Sequence, residues 1–159
     1  GFVLGVRTVQ LNVADAQDDN ALQSLREAGA FETAIDDPQT YPAGVDPFGS
    51  QAPLAARARA YLDSNCAQCH LPGGPTPVDM DLRAETPMAQ TVTLDVAPAG
   101  ASYGITDARR IAPGERARSL MWTRMLRLDA PARMPPLSSH VVDQAGAELI
   151  GSWIDAGAP

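Results

Sequence analysis

The chain has 159 residues, enough for one compact domain with its own core. Its 19 acidic side chains outnumber its 12 basic ones for a formal charge of −7, which argues against nucleic acid or an anionic membrane surface as a partner. Fourteen Pro and 13 Gly favour long ordered loops over regular sheet, and every basic residue is an arginine.

Residues 1–13 alternate weakly through Val3, Val6, Val9, Leu11 and Val13, which predicts an extended segment or edge strand. The opening Gly1-Phe2-Val3-Leu4 reads as the inside of an ordered sequence with no signal-peptide pattern, as in a mature chain or a domain excised from a larger protein. No stretch has the length of a transmembrane helix. Residues 18–28 predict a short helix with Asp18 or Asp19 as N-cap and Gly29 as C-cap. Residues 36–50, rich in Pro, Gly and Asp, read as a wrapping linker anchored by Tyr41 and Phe48. A boundary near residue 50 would leave 1–50 as an extension, or part of an upstream module, and 51–159 as the main domain.

From Pro53 the pattern sharpens. Pro53 suits the first position of a helix, and Leu54, Ala58, Tyr61 and Leu62 form one apolar stripe running into Cys66. Residues 66–70 read Cys-Ala-Gln-Cys-His, the attachment signature of a c-type haem. Two thiols at this spacing reach the two vinyl groups of a porphyrin, and the adjacent His70 is placed to ligate the iron. Cys66 and Cys69 are the only cysteines, so one covalent haem uses every thiol. A thioredoxin-like pair would need a strand before it and a helix opening at the first Cys, the reverse of what surrounds this motif. A structural zinc site wants four Cys/His ligands, and beyond the motif only His140 is left to supply one. With aromatics at 5%, the core is also easier to fill if a large flat cofactor supplies part of it. Covalent haem attachment takes place outside the bacterial inner membrane, so the motif implies a periplasmic or extracellular location.

After His70, Leu-Pro-Gly-Gly-Pro-Thr-Pro excludes helix. Residues 91–96 and 109–111 predict two short strands, part of a small β-like insertion at about 85–112. A helix follows at about 116–128 with Leu120, Met121, Trp122, Met125 and Leu126. Ala-Pro-Ala-Arg-Met-Pro-Pro is a rigid extended loop. A last helix at about 143–156 carries Ala145, Leu149, Ile150, Trp153 and Ile154 at helical spacing, with Asp143 as N-cap.

An electron-transfer haem needs a second axial ligand, and methionine favours ferrous iron. Met121 and Met125, one turn apart, read as core packing; Met80 and Met88 lie among polar residues. Met134, between two helices and stiffened by Pro135 and Pro136, is the expected ligand, with His140 as its competitor.

The order amphipathic helix, Cys-x-x-Cys-His, long loop, helix, Met-Pro-Pro loop and C-terminal helix with Trp153 makes residues 53–159 resemble a class I c-type cytochrome, of the kind fused into larger bacterial secreted oxidoreductases or carbohydrate-active proteins. The resemblance implies a mainly α fold whose first and last helices cross and pack around a haem. It also implies a backbone carbonyl near Pro75 accepting the second ring N–H of His70, for which Pro75 and Pro77 both fit, and arginines meeting the propionates, with Arg83, Arg109, Arg110 and Arg133 as candidates. His70 and Met134 stand 64 residues apart, and the β-like insertion leaves the haem surroundings between 78 and 112 open. The expected function is one-electron transfer by a single haem c to or from a redox partner protein or fused oxidoreductase domain, with no nucleophile–base pairing for substrate chemistry. A haem-based gas or redox sensor with a displaceable Met134 is the alternative. A peroxidase would need a polar distal group, for which only His140 stands out.

Overall fold

Two twelve-residue helices organise the chain, and both form where the apolar spacing is helical. The computed structural model describes residues 6–14, 20–137 and 140–159. Among them the chain is mainly helical: α1 (Thr8–Leu11), α2 (Ala21–Glu27), α3 (Leu54–Asn65), α4 (Leu120–Met125) and α5 (Gln144–Asp155), with 3₁₀ turns at Pro38–Thr40, Met88–Gln90 and Arg116–Arg118. No helix among these residues is long and apolar enough to cross a membrane.

Helix α3 starts directly after Pro53, and α5 starts at Asp143, whose carboxylate accepts from the Gly146 amide at 2.8 Å. The two pack against each other. Ala58, Tyr61 and Leu62 of α3 meet Leu149, Ile150, Trp153 and Ile154 of α5, with Leu82 and Ile111 completing the core and Leu54 half-buried at its edge. The approach is close enough that a Cβ on Gly146 would overlap the Tyr61 ring. That contact fixes the buried face of α5, so Ala147 is buried and Ala145, expected in the stripe, is exposed. Helix α4 joins them through Trp122, whose indole donates to the Ala147 carbonyl at 2.9 Å. Arg116 lies over the Trp122 ring and pairs with Glu148 and Asp155.

Several elements differ from expectation. The first segment turns through α1 instead of running extended, and residues 1–5 lie outside the described residues. Asn20 caps α2, accepting from Gln23 N at 3.1 Å, whereas Asp18 and Asp19 fall outside the described residues. Ala28 is the C-cap, and Gly29 follows with φ +64°, the left-handed turn that ends the helix. The two strands reduce to single bridges, Leu94 to Ile111 and Arg109 to Ser119. Val92 and Asp95, at φ 56° and 53°, break the extended run on either side of Leu94, so no ladder can propagate.

The helix expected at 116–128 is split. Ser119, fully buried, accepts from Ala112 N at 2.8 Å, while Leu120 N and Met121 N bond to the carbonyls of Arg109 and Arg110. These bonds hold Ser119 extended and delay α4 to Leu120.

The described part of 1–50 is tied to α3 by polar contacts. Arg7 pairs with the buried Asp63 and with Glu85, and Asn12 donates to three carbonyls of the 38–42 loop. Phe48 is 56% exposed yet sets its ring edge-on to Tyr61 at 6.2 Å; the Tyr41 hydroxyl accepts locally from Asp36 N.

Trp153 has no exposed surface. Replacing it with Ala is expected to cost about 3–5 kcal/mol, read from the midpoint and slope of chemical denaturation. A loss within about 0.5 kcal/mol, typical of surface positions, would contradict its place in the core.

Candidate cofactor cleft

The Cys66–His70 turn is built by the end of α3. Cys66 N makes the last helical bond to Leu62 O at 2.9 Å, and the amides of Cys69 and His70 then both turn back to the Cys66 carbonyl, at 3.1 and 2.9 Å. The His70 carbonyl in turn accepts from Leu82 N at 2.9 Å, fastening the turn to the 80–88 segment. That segment is held by a buried cation. Arg59 of α3, 9% exposed, donates to the carbonyls of Arg83, Ala84 and Thr86 and to the sulfur of Met88.

The turn opens on a cleft of about 530 Å³. Tyr61, Cys66, Cys69 and His70 line it, as do Leu120, Met121, Arg124 and Met125 at α4, the Met134–Pro136 stretch, Pro98–Ala101 and Tyr103. Cys66, Cys69, His70, Met134 and Arg110, all singled out from the sequence, line this one space. Met80, Met121 and Met125 line it too, so the two α4 methionines serve the cleft as well as the core. His140 is exposed and does not line it. A larger groove of about 610 Å³ lies between residues 9–14, the 43–47 loop and α3 and contains neither cysteines, histidine nor methionine.

Pro75 and Arg83, both singled out from the sequence, do not line the cleft. The Leu71–Gly74 turn carries Pro75 outward, where it is exposed and outside the cleft; His70 Nδ1 is sealed from solvent with no hydrogen-bond partner, so the Pro75 carbonyl contact is not made. Arg83 is spent on Asp81, with Nε and Nη2 donating to the two carboxylate oxygens at 2.9 and 2.6 Å, and it does not reach the cleft. Arg110 does line it. Its Nη1 donates to the carbonyls of Asp79 and Val92, while its Nε is buried and unpartnered. Arg109 and Arg133 do not line the cleft; they donate to the backbone carbonyls of Ala108 and Pro136.

Arg124 is the cleft residue that sequence reasoning missed. It donates to Ala132 O at 2.7 Å and Pro131 O at 3.1 Å and lies over the Tyr103 ring at 5.4 Å. Its spacing from Leu120 and Met121, four and three residues, is the signal that could have placed it on the same helix face.

Burial, then the positive charges of Arg124 and Arg110, hold His70 below its ordinary pKa. Burial, then the neighbouring Cys69, pushes the Cys66 thiol up to about 12. Among the described residues, no three His, Cys, Asp or Glu side chains gather as a metal site.

No family model, curated protein or solved structure matches this chain.

The 80–88 segment beside the cleft depends on Asp81, which is 7% exposed. Hydrogen bonds from Arg83, and then from Thr86, hold its carboxyl well below the usual carboxylate range. A carboxyl depressed on folding adds stability above its unfolded pKa of about 3.9, and that stability is lost as pH falls through the lower folded value. Wild-type stability should therefore decline below about pH 4, and Asp81→Asn should be less stable at pH 7 with a shallower acid limb, in denaturation series across pH. Equal acid slopes for the two proteins would contradict this assignment.

Proposed function

We propose that the chain is a one-electron carrier with a single covalent haem c and His70/Met134 axial ligation, folded as a class I cytochrome c domain. The observation that carries this reading is that Cys66, Cys69, His70 and Met134, separated by up to 68 residues of sequence, line one cleft.

The residues present suit the group. The cleft lies within the range of cofactor sites, about 300–1,000 Å³, and combines two thiols, an imidazole and thioethers in apolar surroundings. Cys66 and Cys69 would hold a porphyrin through thioethers, and His70 and Met134 would ligate its iron. Bound there, haem supplies a ferric/ferrous couple.

The rest of the work belongs to the chain. The backbone bonds of 66–70 hold His70 at a fixed place, and Leu82 N braces its carbonyl. Met134 N bonds to Arg124 O at 3.0 Å, which anchors the methionine against α4. Arg110 and Arg124 bring positive charge to a chain that is otherwise acidic, and charge of that sign in a low-dielectric cleft favours the reduced form. His140 is exposed and does not line the cleft, which supports a carrier over a peroxidase. The partner is a redox protein or a fused oxidoreductase domain, met in the periplasm or outside the cell.

The intact mass should exceed that of the polypeptide by one haem, and the colour should survive acid–acetone extraction. Extractable haem, or zinc in its place, would end the proposal. In the oxidised protein a weak sulfur-to-iron band is expected in the far red. Met134→Ala should abolish it and lower the reduction potential, because the soft ligand that favours ferrous iron is gone. Loss of the band in Met80→Ala, with Met134→Ala unchanged, would move the ligand to Met80.

A further inference from the structure

One hydrogen bond joins α3 to the start of α5 at the cleft. Tyr61 stands on α3 five residues before Cys66 and is 7% exposed, and its hydroxyl donates to Asp143 Oδ2 at 2.8 Å. The other oxygen of the same carboxylate, Oδ1, caps α5 through Gly146 N, also at 2.8 Å. Both residues line the cleft. Asp143 therefore spends one oxygen on each helix, and Gly146 lacks a Cβ where the Tyr61 ring needs the room.

In the sequence, Asp143 at the start of α5 stands nine residues after Met134. Upstream, that stretch is anchored by Arg124, which donates to the carbonyls of Pro131 and Ala132 while its own carbonyl accepts from Met134 N. Beyond residues 138–139, which lie outside the described residues, the Tyr61 hydroxyl ties Asp143 to α3. Burial, reinforced by Asp143, raises the Tyr61 phenol well above its ordinary range, so the hydroxyl keeps its proton and remains the donor.

We propose that Tyr61 and Asp143 are a positioning pair that fixes the start of α5 against α3 at the cleft and so holds Met134, nine residues before Asp143, on the iron against competing ligands. The inference rests on the haem-carrier reading, and it bears on whether Met134 is held, as in a carrier, or released, as in a sensor. A pair that only supports helix packing would act on α3 and α5 and leave Met134 untouched.

Two variants test it without removing the core. Tyr61→Phe keeps the ring against Gly146 and removes the donor. Asp143→Ser keeps an N-cap oxygen for Gly146 but is too short to reach Tyr61. In the isolated protein, exchange of the Met134 amide is followed together with imidazole titration of the ferric far-red band. Each variant should speed exchange at Met134 about fivefold and lower the imidazole concentration for half-displacement about fivefold, the factor equivalent to one net hydrogen bond of about 1 kcal/mol. The double variant should go no further than either single one, because both remove the same bond.

Faster exchange confined to α3 and α5, with Met134 exchange and imidazole affinity unchanged, would overturn the proposal. Additive effects in the double variant would overturn it too. A wild-type protein without covalent haem would end the carrier reading, and the Met134 amide comparison on that polypeptide would still decide whether the pair holds the Met134 segment.

Discussion

The contact of Tyr61 with Gly146 is the constraint on which the rest of the molecule depends. It brings α3 and α5 together at the one place on α5 where a side chain would block them. From there the apolar stripes of both helices interlock through Ala58, Leu62, Ile150 and Trp153. The same contact determines where α3 ends relative to α5, and so where the Cys66–His70 turn opens. Core and cleft are thus two results of one helix crossing, and a change that loosened the first would misplace the second.

Away from that crossing, the chain is held less by backbone ladders than by side chains reaching for carbonyls. Arg59 takes three carbonyls of the 83–86 segment, Arg110 takes those of Asp79 and Val92, and Arg124 those of Pro131 and Ala132. Guanidinium suits this use because its several donors are fixed in one plane and stay charged when buried. Two buried polar atoms at the cleft stand outside the pattern, His70 Nδ1 and Arg110 Nε, each sealed without a partner. Unpaired buried donors are costly, and they mark the wall where the structure leaves hydrogen-bonding capacity unused.

The parts legible in the sequence are those where periodicity or chemistry speaks locally. The stripes of α3 and α5 run at helical spacing, Asp143 is a capping residue in its expected place, and the Cys-x-x-Cys-His turn opens at the end of α3, as its helical lead-in implies. Met134 could be picked out because prolines isolate it, although the cleft admits three other methionines as well. What was not legible depends on contacts distant in sequence. Val92 and Asp95 take left-handed conformations that no propensity assigns them, which undoes the strand read from their β-favouring neighbours. Ser119 interrupts a helical run because its hydroxyl finds Ala112, seven residues upstream. Pro75 and Arg83 were carried over from a resemblance, while their positions here are set by a local turn and by Asp81. Arg59 went unnoticed because a charged residue on an amphipathic helix reads as solvent-facing until the segment that covers it is known.

The Arg59 hold has one more consequence. The 83–86 segment is gripped through its carbonyl oxygens, which every amino acid possesses. Its shape is therefore nearly independent of the side chains it displays, apart from Thr86, which bonds Asp81, the Arg83 pairing, and Glu85, which pairs with Arg7 of the N-terminal segment. Ala84 and Glu85 stand exposed on a backbone clamped from below. That stretch of surface beside the cleft can change its charge and chemistry from one descendant of this sequence to the next while the floor beneath it stays in place.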